Sequence, residues 1–164
     1  MNKNSISEHL EYKMPFSVDT CMADMNMNIR LGSIVNLFIH SAFLSADSLH
    51  FGFSELQKQN LFWVLRQLSV EMDHPLKWKK HGNIVTWPKD QHRIMYLRDF
   101  LMNNEENESV AKASSSWLAL DYYSKRPKTL KGEMLEIFTK LKDKHALPNP
   151  PEKLFPVREG EISE

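Results

Sequence analysis

Leu10, Tyr12, Met14, Phe16 and Val18 occupy alternate positions, the spacing of a strand buried on one face. Pro15 interrupts them and lacks an N–H, which predicts an edge or bulged strand. Positions 19–31 follow no period and read as a connecting loop. Ser33 is a plausible N-cap for a helix running to about Leu49, and the segment 34–46 is apolar on most faces. A helix apolar nearly all round is a buried one. Gly52 lies just beyond it.

The period then changes. Leu61-Phe62-Trp63-Val64-Leu65 and Leu68-Ser69-Val70-Glu71-Met72 are rich in β-formers, predicting one long strand over 60–73. Further strands are predicted over 83–87, after Gly82, over 91–102, closed by the Asn103-Asn104-Glu105-Glu106-Asn107 turn, and over 108–123. Met134, Leu135, Phe138 and Leu141 stand at helical spacing, which predicts a C-terminal helix over 129–146. Leu147-Pro148-Asn149-Pro150-Pro151 stops it. The expected organisation is a flexible leader (1–8), one domain (9–128), that helix, and an extended tail (147–164). One strand, one apolar helix and a run of long antiparallel strands make an α+β chain with helix and strands segregated. An antiparallel sheet wrapped around a central helix is the hotdog fold.

Composition narrows the classes. The 164 residues carry 21 Lys and Arg against 21 Asp and Glu, a net charge of zero, which argues against nucleic-acid binding by bulk positive charge. With 41% hydrophobic and 26% charged residues the mixture is that of a globular protein rather than a disordered one. The single cysteine, Cys21, forbids an internal disulfide and fits a reducing cytoplasm. No apolar run approaches the ~18 residues of a membrane helix, and the polar start is not a secretory signal. His74, His81 and His92 lack metal-ligand spacing. Neither a metal nor a cofactor is expected.

Several pieces stand in register along the chain: Asn60-Leu61-Phe62-Trp63-Val64-Leu65-Arg66; Trp78 with Gly82-Asn83-Ile84-Val85; Arg98-Asp99-Phe100; Ala111-Lys112-Ala113-Ser114-Ser115-Ser116-Trp117; then Leu120-Asp121 and Arg126-Pro127. In order and spacing these resemble the N-terminal hotdog of the acyl-ACP thioesterases, a family built from two tandem hotdogs. The resemblance covers about 12–127. Asp24-Met25-Asn26-Met27-Asn28-Ile29 is similar to the Asp-x-Asn-x-His-Val motif of that family's catalytic hotdog, with Asn28 where the motif has His. The resemblance implies a role in fatty acid metabolism as an acyl thioester hydrolase acting on acyl carrier protein or coenzyme A. The alternative is a non-catalytic acyl-binding or regulatory hotdog. Hotdogs of this kind work in pairs, so a homodimer is expected, with no nucleic-acid or membrane partner.

Thioester hydrolysis needs an activated water and donors for the developing oxyanion. Asp24, Asn26 and Asn28 are candidates to position and polarise. An amide does not titrate, so Asn28 cannot be the base. His40 is the candidate base: Ser33, Asn36, His40 and Asp47 fall on one stripe of roughly 60° of the helical wheel. The competing readings are a hydrogen-bonded core histidine and a polar loop whose Asx residues only cap the helix. Cys21 has no neighbour in sequence that would activate it. Met22, Met25 and Met27 either line an acyl tunnel or fill core. Lys77, Lys79 and Lys80 with His81 form a basic turn able to attract an acidic carrier; Arg126, Lys128 and Lys131 form another.

Overall fold

A computed structural model describes residues 9–130 and 133–149; the leader, Lys131 and most of the tail lie outside the described residues. β1 (Tyr12–Ser17), β2 (Leu61–Met72), β3 (His81–His92), β4 (Met95–Asn104), β5 (Ser109–Asp121) and the short β6 (Pro127–Lys128) form one antiparallel sheet. Its order is β1-β3-β4-β5-β2, with β6 added to β5. Helix α1 (Leu31–Ser48) lies against one face. This is the hotdog architecture.

Among the described residues β1 pairs only with β3, and Pro15 sits opposite Asn83, so its missing N–H falls at an edge. β3 is longer than its sequence suggests. It passes Pro88 through a register shift between Pro88 and Asp90, a bulge that absorbs the absent donor. Residues 93–94 form the tight turn into β4, with Arg93 at φ 57°. Gly82 is fixed by contact rather than dihedral angle. A Cβ there would lie 2.2 Å from the Asn103 carbonyl oxygen and 2.9 Å from the Phe16 ring. Gly82→Ala is therefore expected to cost about 1–3 kcal/mol in urea denaturation; an unshifted midpoint would mean β1 does not pack so closely on β3.

The two faces of the sheet have different neighbours. Tyr96, Arg98, Phe100 and Met102 alternate toward α1, and the Phe38 and Phe100 rings meet at 5.0 Å. α1 buries Ile34, Leu37, Phe38, Ser41, Ala42, Ser45 and Ala46, the i, i+3, i+4 stripe of an amphipathic helix. The small residues in its second half let strands approach closely. The helix is not buried all round: Asn36, His40, Phe43 and Asp47 are exposed.

Helix α2 (Phe53–Lys58) has no counterpart in the sequence reading. At six residues it is too short to show a period, but Gly52 precedes it and Glu55 pairs with Lys58 at 2.6 Å. The helix expected over 129–146 is observed only as α3 (Glu133–Ile137). The chain then follows turns, with i→i−3 bonds such as Phe138 N–H to Leu135 C=O. Its apolar residues serve two different faces, which one straight helix could not reach. Phe138 packs on Phe51, Trp63 and Tyr96 beside α1. Residues 144–146 cross the opposite face, where Trp87 Nε1 donates to the Lys144 carbonyl and Ala146 N–H donates to Asp99 Oδ2 at 2.8 Å.

Candidate functional site

The segment before α1 folds as a tight turn organised by Asp24. Its Oδ1 accepts the backbone N–H groups of Asn26 (2.8 Å) and Asn28 (2.9 Å), and its own N–H donates to the Asn28 carbonyl. Met27 takes φ 60° at the apex. Asp24 is thus an Asx-turn residue, but Oδ2 has no hydrogen bond among the described residues. Asn26 is exposed. Asn28 is half-buried, and its Oδ1 is shielded from water without a partner.

The turn delivers the chain to a helix end with open donors. Arg30 is the N-cap residue and makes no side-chain cap bond. The Arg30 carbonyl accepts from Ser33 and Ile34, and Ser33 Oγ, the expected cap, instead donates to the Met22 carbonyl at 3.0 Å. The N–H groups of Leu31 and Gly32 therefore face outward at the positive end of the helix dipole. A Cβ on Gly32 would meet nothing within 4 Å. Arg30, Leu31, Gly32, Ser33, Val35 and Asn36 line an open depression there.

The basic turn lies alongside. Asn28 bridges to Lys77, Trp78 N–H donates to the Met27 carbonyl, and Lys77 Nζ reaches the Asn26 carbonyl at 3.2 Å. Lys79, Lys80 and His81 are exposed next to it. Tertiary pairing thus unites the Asx turn, the helix start and the lysines, which are about fifty positions apart in sequence. Met25 is 94% exposed and Met27 46%, so these thioethers are rim rather than core. Arg126 and Lys128 are exposed elsewhere, on and beside β6.

His40 is not brought to this turn. It lies nine residues into α1 from Leu31, roughly 13 Å along the axis, on the exposed stripe with Asn36 and Asp47. It is not the hydrogen-bonded core histidine of the competing reading. Cys21 is exposed and its thiol donates to Asp19 Oδ1 at 2.8 Å. The Asp19 carboxylate accepts from that thiol and so raises its pKa, which makes Cys21 a poor nucleophile. Among the described residues no three His, Cys, Asp or Glu converge as a metal site.

A second concavity leaves no local signal in the sequence. Phe43 of α1, Phe51, Trp63, Tyr96 and Trp117 enclose an apolar slot with Arg98 in its wall. Trp117 Nε1 donates to Ser115 Oγ (2.8 Å), and Tyr96 Oη accepts Leu130 N–H (2.7 Å). The alternation of β4 places Arg98 on the helix side, a signal visible only once the register was known.

The chain matches the model of the acyl-ACP thioesterase N-terminal domain over residues 9–138. It is 24% identical over 144 residues to the chloroplastic palmitoyl-acyl carrier protein thioesterase of Gossypium hirsutum, covering 81% of this chain and 35% of that one. Among solved structures it resembles an acyl-ACP thioesterase from Bacteroides thetaiotaomicron, with TM-score 0.76, 20% identity, and coverage of 96% of this chain and 60% of the other. It also resembles a DHNA-CoA thioesterase from Staphylococcus aureus, with TM-score 0.67, 16% identity, and coverage of 73% and 80%. The chain spans about a third of the length of the curated relatives it matches.

Proposed function

Because the chain belongs to the acyl-ACP thioesterase family through that family's N-terminal domain, we propose that it binds acyl thioesters carried on acyl carrier protein or coenzyme A and hydrolyses them. The observation that carries the reading is the uncapped start of α1, with Leu31 and Gly32 N–H groups open directly after the Asp24 turn. A thioester oxygen seated there gains two donors and a helix dipole as negative charge develops on it. Asp24 Oδ2 is the free acceptor for the proton of an attacking water. Water adds to the carbonyl carbon, the C–S bond breaks, and the thiolate leaves and takes up a proton. Asn26 and Asn28 orient substrate and water. Lys77, Lys79, Lys80 and Arg30 supply positive charge for the phosphates of the thiol arm or an acidic carrier surface.

The active unit in this proposal is a homodimer. Among the described residues β2 is a twelve-residue edge strand paired only with β5, a ready template for another strand. His40 serves only if a second copy brings it over the Asp24 turn.

The assay is release of free thiol from acyl-CoA and acyl-ACP. Asp24→Asn and Asn26→Ala are each expected to lower turnover by ~100-fold or more. His40→Ala is expected to do the same only if the chain is dimeric by light scattering. Full activity in all three variants would remove these residues from the mechanism. A second reading, acyl binding without hydrolysis, is favoured by one observation: an untitratable Asn28 stands at the family motif's His position. Binding without thiol release supports that reading, and gain of hydrolysis in Asn28→His would mark the turn as a site lacking only its base.

A further inference from the structure

Helix α1 packs on β1 and β3, and the helix side of the edge strand β2 is only half covered. Leu68, Val70 and Met72 stand on that side, opposite Ser115, Ala113 and Ala111 of β5. Leu68 and Val70 are half-buried and Met72 is 40% exposed. On α1, Leu31 is 54% exposed, and Val35 and Ile39 are half-buried. These three share a stripe of about 80° with Ala42 and Ala46 at 100° per residue. Ala42 and Ala46 meet Trp63 of β2 in the slot, so the stripe faces β2. The two elements run antiparallel. Ile29 N–H donates to the Leu76 carbonyl just past the end of β2, and Trp63 Nε1 donates to the Phe51 carbonyl just past the end of α1. They frame an apolar groove that starts at the open Leu31 and Gly32 N–H groups and leads to the slot.

The slot at the end of the groove is shut. About 30 Å³ remains inside it, room for a water molecule or two and not for an alkyl chain. Ala42 and Ala46 leave space on the helix wall, and the Phe138 ring takes it. Phe138 is 3% exposed, with its ring centre 5.1 Å from Phe51, 4.9 Å from Tyr96 and 6.3 Å from Trp63. Its segment is also fastened on the far face of the sheet, where Trp87 holds the Lys144 carbonyl and Asp99 the Ala146 N–H.

We infer that the groove holds the acyl chain and that Phe138 sets its length, so that the substrates are acyl thioesters of up to about twelve carbons. Leu31 and Ala42 are eleven positions apart, roughly 16 Å along the axis, the reach of an extended chain of about twelve carbons. Each methylene up to that point exchanges water for apolar walls; the next one meets the Phe138 ring. The inference rests on the acyl-thioester reading for the class of ligand but not on hydrolysis.

The test is equilibrium binding by calorimetry of S-(2-oxoalkyl)pantetheines with acyl chains of six to sixteen carbons. A methylene between sulfur and carbonyl keeps them from being hydrolysed, and the pantetheine arm is common to both carriers. In the unaltered protein, affinity is expected to rise about fourfold per methylene up to about twelve carbons and then to stay flat. In Phe138→Ala the shorter ligands should bind as before while the rise continues, so that the sixteen-carbon ligand binds roughly ten- to a hundredfold more tightly than to the unaltered protein. Ile39→Trp, which obstructs the groove nearer its start, should move the break to about eight carbons and serves if Phe138→Ala does not fold. Affinity in the unaltered protein that climbs steadily to sixteen carbons overturns the inference. So does affinity indifferent to length, the result if side chains of a second copy fill the groove, or a break left in place by a folded Phe138→Ala or by Ile39→Trp. If the break is found but no thioester is cleaved, hydrolysis fails and the inference stands; cleavage of thioesters by a protein whose binding ignores chain length leaves hydrolysis standing without it.

Discussion

Asp99→Ala is expected to lower the unfolding free energy by about 3–5 kcal/mol, the cost of breaking a buried ion pair from one side. Asp99 is fully buried, with Lys89 5% exposed beside it. Its Oδ2 accepts from Lys89 Nζ at 2.9 Å and from Ala146 N–H at 2.8 Å, and its Oδ1 from Ser114 Oγ at 2.7 Å. Alanine would leave a buried ammonium, a backbone N–H and a hydroxyl unanswered at once. The loss should also release residues 144–146 from the sheet, exposing Trp87, which is buried and bonded to the Lys144 carbonyl. Urea denaturation with tryptophan emission as readout measures both effects. Replacing the pair together, with Lys89→Met and Asp99→Leu, should recover much of the stability, because neither charge is then left alone. A loss below about 1 kcal/mol in Asp99→Ala would mean that water reaches the pair and that the C-terminal segment does not cover it.

Arg98→Met should act in the opposite direction, raising the unfolding free energy by about 1–4 kcal/mol. Among the described residues Arg98 has no counter-ion, and its two hydrogen bonds go to hydroxyls. Methionine matches its length and packs against Phe51 and Trp117 without desolvating a charge. Ser45 and Thr86 are left in place, and Thr86 keeps its bond to the Asp99 carbonyl at 2.9 Å. A residue whose removal stabilises the fold is one retained for something other than stability. A denaturation midpoint that falls in Arg98→Met would show instead that the guanidinium is part of the structural core. The neighbours Arg98 and Asp99 thus carry predictions of opposite sign, because adjacent strand residues face different environments.

The long strands were legible because their cues are local: runs of β-branched and aromatic residues broken by Gly82 and by the Asn103–Asn107 turn. The alternation around Pro15 placed an edge strand correctly for the same reason. Helix α1 was recognisable as the sheet's partner, but its exposed stripe was not distinguishable from a buried polar seam. A wheel diagram shows that Asn36, His40 and Asp47 share a side, not what lies opposite. Asp24, Asn26 and Asn28 were visible as a group of Asx residues. That Lys77 lies against them was not, since the bridge from Asn28 to Lys77 closes a loop of about fifty residues. Phe138 and Leu141 stood at helical spacing, yet long-range contacts with Tyr96 and Asp99 drew that segment along two faces and held the helix to one turn and a half.

The order of α1 and the long strands, the edge position of β1, the family resemblance and the Asx group were determined by the sequence itself, because periodicity, turn residues and motif spacing act within a few positions. Tertiary structure decided which face of β4 meets α1 and which meets the C-terminal segment. It thereby left Arg98 without a counter-ion among the described residues, in an apolar slot, while giving Asp99, one residue away, a full set of partners. That division depends on strand register and on contacts across the whole chain, where burial turns a charge from an ordinary surface feature into one that needs an answering group.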